Sequence, residues 1–100
     1  MGDSREQLRK FPQAVRSEIG QALYQAELGE RHPSAKPMQG INAVEIVSDY
    51  RSDTYRGIYT TQFKGCLYVL HCFQKKTQKT SREDIALATR RYKDLLKELA

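Results

Sequence analysis

The sequence, residues 1–100, predicts a single α+β domain in which helices pack on a small antiparallel sheet. Two segments carry apolar residues at helical spacing, one toward each end of the chain. Between them lie three short runs with the alternating pattern of strands, separated by turn signals. The expected order is N-terminal helices, three strands and a C-terminal helix, with a fourth strand allowed. A chain of this length is expected to form one core.

The first long helix is predicted over residues 12–28. Pro12 suits a first helical turn, and Gly29 is a natural residue to follow the last one. The apolar positions that define its buried face are Val15, Ile19, Ala22, Leu23 and Ala26. A shorter helix over 5–10 is expected before it. A polar loop over 30–40 is expected after it, with His32 exposed to solvent.

Three strands are predicted over residues 43–48, 55–63 and 66–73. A short turn at 51–53 joins the first two, and Lys64-Gly65 is a two-residue hairpin signal between the second and third. The strands should therefore form an antiparallel meander. Cys66 and Cys72 fall at opposite ends of the third strand, about 20 Å apart and too distant for a disulfide. We expect both to be reduced packing residues.

The C-terminal helix is predicted to begin at a capping box formed by Ser81 and Asp84. One stripe of this helix is apolar, as expected if that stripe packs on the sheet. Its members are Ile85, Ala88, Tyr92, Leu95, Leu96 and Leu99.

Charge is unevenly distributed along the chain, whose formal net charge is +5. No acidic residue occurs between Asp53 and Glu83, whereas six lysines and arginines do. Such a window attracts phosphate or an acidic protein, or is a solvated face. No apolar run is long enough to span a membrane, and the cysteines and histidines lack zinc-site spacing. We therefore expect a cytoplasmic protein without a metal or cofactor.

The most informative segment is HCFQKKTQKT, residues 71–80, where an apolar strand runs directly into a cationic loop. In a hairpin that turns at Lys64-Gly65, Arg56 lies roughly opposite Phe73, close to the start of this loop. Two separate stretches of sequence therefore place cations at one end of the sheet. We expect Arg56 to lie near the sheet edge, where its replacement by alanine leaves the fold intact.

These cations suit metal-free cleavage of RNA, which needs a base, positive charge near the phosphate and an acid. Arginine supplies charge but cannot act as the base. Lys75 and Lys76 are adjacent, so each disfavours the charge of the other. His71 is another candidate for proton transfer, or a packing residue of the strand. Tyr55 and Tyr59 either stack on bases or pack in the sheet, and packing is expected.

Several segments of the sequence resemble a known group of proteins. The strand TYRGIY (54–59), the strand end LYVLHCFQKK (67–76) and the C-terminal helix look like the RelE/ParE toxin superfamily. The segments LGERHP (28–33) and KPMQG (36–40) are similar to its phage-derived, HigB-like branch. The resemblance covers nearly the whole chain.

The resemblance implies the toxin of a type II toxin–antitoxin system, a metal-independent and ribosome-dependent endoribonuclease that cleaves mRNA and inhibits translation. Its expected partners are the ribosome, mRNA and an antitoxin of the helix-turn-helix class. By position, Arg56 is the arginine of the second strand that stabilises the transition state, and Lys76 takes the place of the second catalytic arginine. Arg51, Lys79 and Arg82 are expected phosphate contacts.

The sequence departs from the best-studied RelE pattern in its first strand and its last helix. Glu45 and Val47 stand where that pattern has lysines, and Ile85 falls near the position of its stacking tyrosine. The general base therefore stays open among Lys75, Lys79 and His71. Two other functions compete with cleavage: a ParE-like toxin that acts on DNA gyrase, and a non-enzymatic basic module that binds RNA or protein.

Overall fold

The computed structural model describes residues 4–51, 53–61, 67–75 and 82–99. It has two N-terminal helices, a four-stranded antiparallel sheet and a C-terminal helix, which confirms the predicted α+β class. In chain order the elements are α1 (Ser4–Lys10), α2 (Gln13–Glu27), β1 (Ala35–Pro37), β2 (Val44–Tyr50), β3 (Asp53–Thr60), β4 (Tyr68–Lys75) and α3 (Arg82–Leu99). No described helix is both long and apolar enough to cross a membrane.

The boundaries of α2 follow from the residues that flank it. Pro12 precedes the first turn with an extended backbone, and Leu28 caps the last turn through hydrogen bonds from its N–H to the preceding carbonyls. Gly29 follows with φ of +81°, a left-handed conformation that glycine adopts without steric cost. The predicted start and end of this helix are therefore confirmed.

The sheet has the strand order β1-β2-β3-β4, and every neighbouring pair is antiparallel. The fourth strand, β1, lies within the segment predicted as a loop over 30–40, so that part of the prediction is wrong. It is only three residues long and ends in Pro37, a residue that strands tolerate at a sheet edge. Within the same segment, the ring nitrogen Nδ1 of half-buried His32 accepts a hydrogen bond from the N–H of Ser34 at 3.0 Å.

The register of the sheet agrees with the sequence prediction. Tyr50 pairs with Asp53, so a two-residue loop joins β2 and β3, and Arg51 occupies it with φ of +58°. Arg56 pairs with Phe73, as the hairpin argument predicted. The hairpin signal Lys64-Gly65, the residue Cys66 and the capping residue Ser81 lie outside the described residues.

Two hydrophobic clusters, rather than the single core expected, lie on opposite faces of the sheet. One joins α1 and α2 to the strands through residues such as Ile19, Ile46 and Tyr59, and it contains the buried thiol of Cys72. The other joins α3 to the strands through residues such as Ile58 and Leu95. Helices from the two ends of the chain thus cover the two faces, and β3 is buried from Tyr55 to Thr60.

A β-bulge in β4 is held by the last helix. Ile58 pairs with His71 and Tyr59 pairs with Val69, which leaves Leu70 as an extra residue without a register partner on β3. A bulge frees backbone groups that must find other hydrogen bonds when buried. The carbonyl oxygen of Leu70 accepts one from the Nη1 of Arg91 at 2.7 Å, which ties α3 to the irregular point of the strand.

Replacing Arg91 with alanine is therefore expected to lower the free energy of unfolding by about 1.5–3 kcal/mol, the usual range for a hydrogen bond to a charged group. The neighbouring Arg90 is exposed on the other side of the same helix, so Arg90→Ala is the matched control. Urea unfolding of both variants measures the effect. Equal midpoints for the two variants would show that the Leu70 carbonyl does not need Arg91.

Candidate functional site

Arg56 was expected near a sheet edge, and this expectation is wrong. It lies on β3, one of the two central strands. Only 8% of the residue is exposed, because α3 and the neighbouring strands surround this face of the sheet. Buried arginine is rare and needs a partner, since removing its charge from water is costly. The expectation that Arg56→Ala would leave the fold intact therefore loses its physical basis.

The charge of Arg56 is paired with a carboxylate on the adjacent strand. Its Nη1 donates a hydrogen bond to Oε1 of Glu45 at 2.7 Å, and the two side chains are 10% and 12% exposed. Glu45 pairs with Ile58 and Arg56 pairs with Val47, so the two side chains meet diagonally across β2 and β3. Glu45 was seen in the sequence only as a departure from the RelE pattern. The alternation of β2 could have placed it on this face.

A second pair, between a buried histidine and a partly exposed aspartate, lies on the same face of the sheet and joins β4 to α3. Nε2 of His71 and Oδ1 of Asp84 are 2.8 Å apart, with 9% of the histidine side chain and 27% of the aspartate side chain exposed. The ring of His71 also stacks on Phe73, with centroids 4.7 Å apart. The capping box predicted only a capping role for Asp84, whereas the structure adds this contact with His71.

The pair with Asp84 selects one tautomer of His71. An ionised carboxylate can only accept hydrogen bonds, so Nε2 of His71 is the donor. In a neutral imidazole, Nδ1 then carries the lone pair and is the atom able to accept a proton. Nδ1 is buried and has no hydrogen-bond partner among the described residues. Asp84 can therefore hold the histidine in the tautomer that a base requires, while Nδ1 itself is not reached by solvent in the free protein.

The two pairs are neighbours, and we call Glu45, Arg56, His71 and Asp84 the Arg56–His71 cluster. Arg56 pairs with Phe73 and Ile58 pairs with His71, so Arg56 and His71 are diagonal neighbours across β3 and β4. Side chains at such positions are about 7–8 Å apart or closer. The cluster thus combines a fixed positive charge, two carboxylates and an imidazole in one region, in which Asp84 is the most exposed member.

The other predicted site residues are arranged less compactly. Arg51 is exposed in the β2–β3 loop, with its guanidinium carbon 5.3 Å from the centre of the Tyr50 ring. Lys75, whose backbone alone is described, pairs with Thr54 next to this loop. Arg82 is exposed at the first position of α3, two residues before Asp84. Lys76 and Lys79 lie outside the described residues.

The aromatic candidates on β3 are packing residues, as expected. Tyr55 and Tyr59 are 7% and 3% exposed and belong to the cluster on the α2 face, opposite the Arg56–His71 cluster. Burial raises the pKa of the Tyr59 phenol, an effect that the positive charge of Arg31 partly offsets. Tyr59 therefore remains protonated at neutral pH. Ile85, predicted on the buried stripe of α3, is 39% exposed.

Among the described residues, no three His, Cys, Asp or Glu side chains are grouped as metal ligands. A family model described as "Phage derived protein Gp49-like (DUF891)" matches residues 6–93, which include all four members of the Arg56–His71 cluster. No curated protein matches the chain.

Proposed function

The chain belongs to the Gp49-like family of phage-derived proteins, a RelE-like toxin family of toxin–antitoxin systems, and from this premise we propose that it is a ribosome-dependent endoribonuclease of the HigB-like branch. It acts in the cytoplasm on translated mRNA and is inhibited by a cognate antitoxin of the helix-turn-helix class. The observation that carries this proposal is the buried Arg56, paired with Glu45 at 2.7 Å beside the His71–Asp84 pair.

The proposed reaction is an internal transfer at one phosphate of the mRNA. A base removes the proton of the ribose 2′-hydroxyl, and the 2′-oxygen forms a bond to phosphorus. The bond from phosphorus to the 5′-oxygen breaks, and an acid protonates that oxygen. The products are a 2′,3′-cyclic phosphate and a free 5′-hydroxyl, so the step consumes no water.

The cluster contains a residue suited to each role in this reaction. Arg56 stabilises the negative charge that develops on the phosphate oxygens, because a guanidinium donates several hydrogen bonds and stays protonated. Glu45, in contact with Arg56, and His71, oriented by Asp84, are the two groups able to exchange protons. We assign the base and the acid to this pair, with Lys75, Lys76 and Lys79 as further candidates from the cationic loop.

The burial of the cluster gives a physical reason for dependence on the ribosome. In the free protein Glu45 occupies Nη1 of Arg56, so an RNA phosphate must compete with a carboxylate for this guanidinium. Only about a tenth of the Arg56 side chain is accessible, so the phosphate must approach from one direction. An mRNA held in a fixed conformation by the ribosome meets this requirement far better than a flexible free RNA.

We therefore expect purified protein to cut mRNA on translating ribosomes about 10²-fold or more faster than the same mRNA alone, because positioning of the reacting atoms has effects of this size. Primer extension on the two substrates measures both rates and locates the cuts. Cleavage of both substrates at equal rates would contradict ribosome dependence. Intact mRNA together with inhibition of gyrase-catalysed supercoiling would instead identify a ParE-like toxin.

A further inference from the structure

The side of α3 that faces away from the sheet carries a shallow depression with a volume of about 460 Å³. We call this surface the α3 outer face. Helical spacing sets it opposite Asp84, Ala88 and Leu95, the positions through which α3 contacts the sheet. It is lined by Ala86, Thr89, Arg90, Lys93, Asp94 and Lys97.

The α3 outer face has an excess of positive charge. It carries three cations, Arg90, Lys93 and Lys97, against the single carboxylate of Asp94, a net charge of +2. All three cations are exposed, and none forms an ion pair with another described residue. Arg90 with Lys93 and Lys93 with Lys97 are like-charge neighbours at i,i+3 and i,i+4, which disfavours the helix, and Asp94 offsets this repulsion only in part because it is a single carboxylate among three cations.

The chemistry of the α3 outer face fits a polyanion better than a protein surface. The cores of protein interfaces are rich in aromatic residues and poor in lysine. The large exposed hydrophobic residues of the described chain, Tyr24, Leu28 and Ile85, do not line this depression. Apart from the carboxylate of Asp94, the α3 outer face offers between its cations the small side chains of Ala86 and Thr89, which allow a backbone to approach closely.

The spacing of the cations suits a nucleic-acid duplex. Arg90 and Lys97 are separated by seven residues, or about 10 Å along the helix axis. Double-stranded DNA carries roughly one phosphate charge per 1.7 Å of its axis, counted over both strands, so a duplex of comparable charge density can present more than one phosphate over this length. Double-stranded RNA is bound largely through its shape, its phosphates and its 2′-hydroxyls, without reading of base sequence.

We propose that the α3 outer face binds the phosphate backbone of base-paired RNA and so anchors the protein on structured RNA. This inference rests on the proposed action on RNA. It adds a binding surface on the side of α3 opposite the Arg56–His71 cluster. The anchor and the cleavage site are then separate, and each can be altered without the other.

The test measures the affinity of the full chain for a fluorescent, base-paired RNA hairpin by anisotropy at several salt concentrations. The test variant is Arg90→Gln/Lys93→Gln/Lys97→Gln, and the control is Arg9→Gln/Lys10→Gln/Arg16→Gln on α1 and α2. All six residues are exposed, and each triple change lowers the formal net charge from +5 to +2. The two variants therefore differ only in which surface loses its cations.

We expect the α3 variant to bind the hairpin at least about 10-fold more weakly than the wild type. The slope of log affinity against log salt concentration should become less steep by about two to three, one for each lost phosphate contact. The control should change affinity by less than about 2-fold with nearly the wild-type slope, since long-range charge alone is screened by salt. Equal losses in both variants would overturn the proposal, because they would show that only the overall charge attracts RNA.

Polyglutamate of matched charge distinguishes RNA from an acidic protein as the partner. If wild-type protein binds polyglutamate as tightly as the hairpin, and through the same three cations, the assignment to RNA is wrong. Weak binding of polyglutamate supports it. Hairpin binding is measured without cleavage. A wild-type protein that binds the hairpin but does not cleave mRNA would therefore refute the proposed function without refuting RNA binding by the α3 outer face.

Discussion

Replacing Arg56 with alanine is expected to destabilise the protein by about 3–5 kcal/mol, because it leaves the carboxylate of Glu45 without the cation it pairs with. Domains of this size are typically stable by only about 5–15 kcal/mol, so this is a large fraction of the total. Loss of growth arrest by this variant alone would therefore not identify a catalytic residue. Removing both charges together separates folding from chemistry.

The double variant Arg56→Met/Glu45→Leu is expected to fold, since replacing a buried ion pair with apolar residues of similar volume is often neutral or stabilising. Its cleavage of translated mRNA should fall by at least about 10²–10³-fold, the usual cost of losing one charge-stabilising group, because the variant also removes Glu45, one of the two proposed proton-transfer groups. Urea unfolding measures the stability, and primer extension measures the cleavage rate. Glu6→Leu/Arg9→Met, the same changes at exposed positions of α1, is the control and should cleave normally.

Full cleavage by a folded Arg56→Met/Glu45→Leu protein would show that the pair is a structural link between β2 and β3 and takes no part in the chemistry. If the α1 control lost cleavage to the same extent as the double variant, the loss would reflect the replacement of charged by apolar residues in general. Both results are distinct from the expected one, in which only the buried pair matters and the unfolding midpoint stays close to that of the wild type.

The second large effect is expected for His71→Gln, which should lower cleavage by about 10²–10⁴-fold, the contribution of proton transfer by a positioned side chain. The glutamine amide can still donate a hydrogen bond to Asp84, but it cannot exchange a proton near neutral pH. The contact between β4 and α3 is thereby kept while the chemistry is removed. Growth arrest and primer extension report the activity, and urea unfolding reports the stability.

His32→Gln is the matched control, since His32 is the only other histidine of the chain and its ring accepts a hydrogen bond from Ser34, outside the cluster. It should cleave like the wild type. Asp84→Asn tests the positioning role separately, because an amide can present either a donor or an acceptor to His71 and no longer fixes its tautomer. Unchanged cleavage by a folded His71→Gln protein would make His71 a packing residue.

The fold was largely predictable because its elements carry strong local signals. Pro12 and Gly29 mark the two ends of α2. The alternation along β3 and the hairpin to β4 together predicted that Arg56 pairs with Phe73. The short strand β1 was missed because three residues ending in Pro37 show no alternation, and their pairing with β2 depends on tertiary contacts. Ile85 was misplaced because it lies at the margin of the apolar stripe of α3.

The arginine and the histidine of the candidate site were predictable, but its two carboxylates were not. Arg56 and His71 stood out as polar residues within apolar strands. Their partners could be identified only from the placement of elements that are distant in sequence: Glu45 lies across a strand pair, and Asp84 lies on a helix that packs against β4. The burial of Arg56 could not be predicted either, because it depends on how the helices pack on both faces of the sheet.

The most direct test of the account uses one mRNA in two forms that differ only at the cleaved linkage, where one form carries ribose and the other a single 2′-deoxyribose. Each form is placed on translating ribosomes with purified protein, and the products are separated and their ends are analysed. We predict that the ribose form is cut to a 2′,3′-cyclic phosphate and a 5′-hydroxyl, and that the deoxy form stays intact at that position. Cleavage of the deoxy form at the same linkage, or products with a 5′-phosphate, would contradict attack by the 2′-hydroxyl and with it the function proposed for the Arg56–His71 cluster.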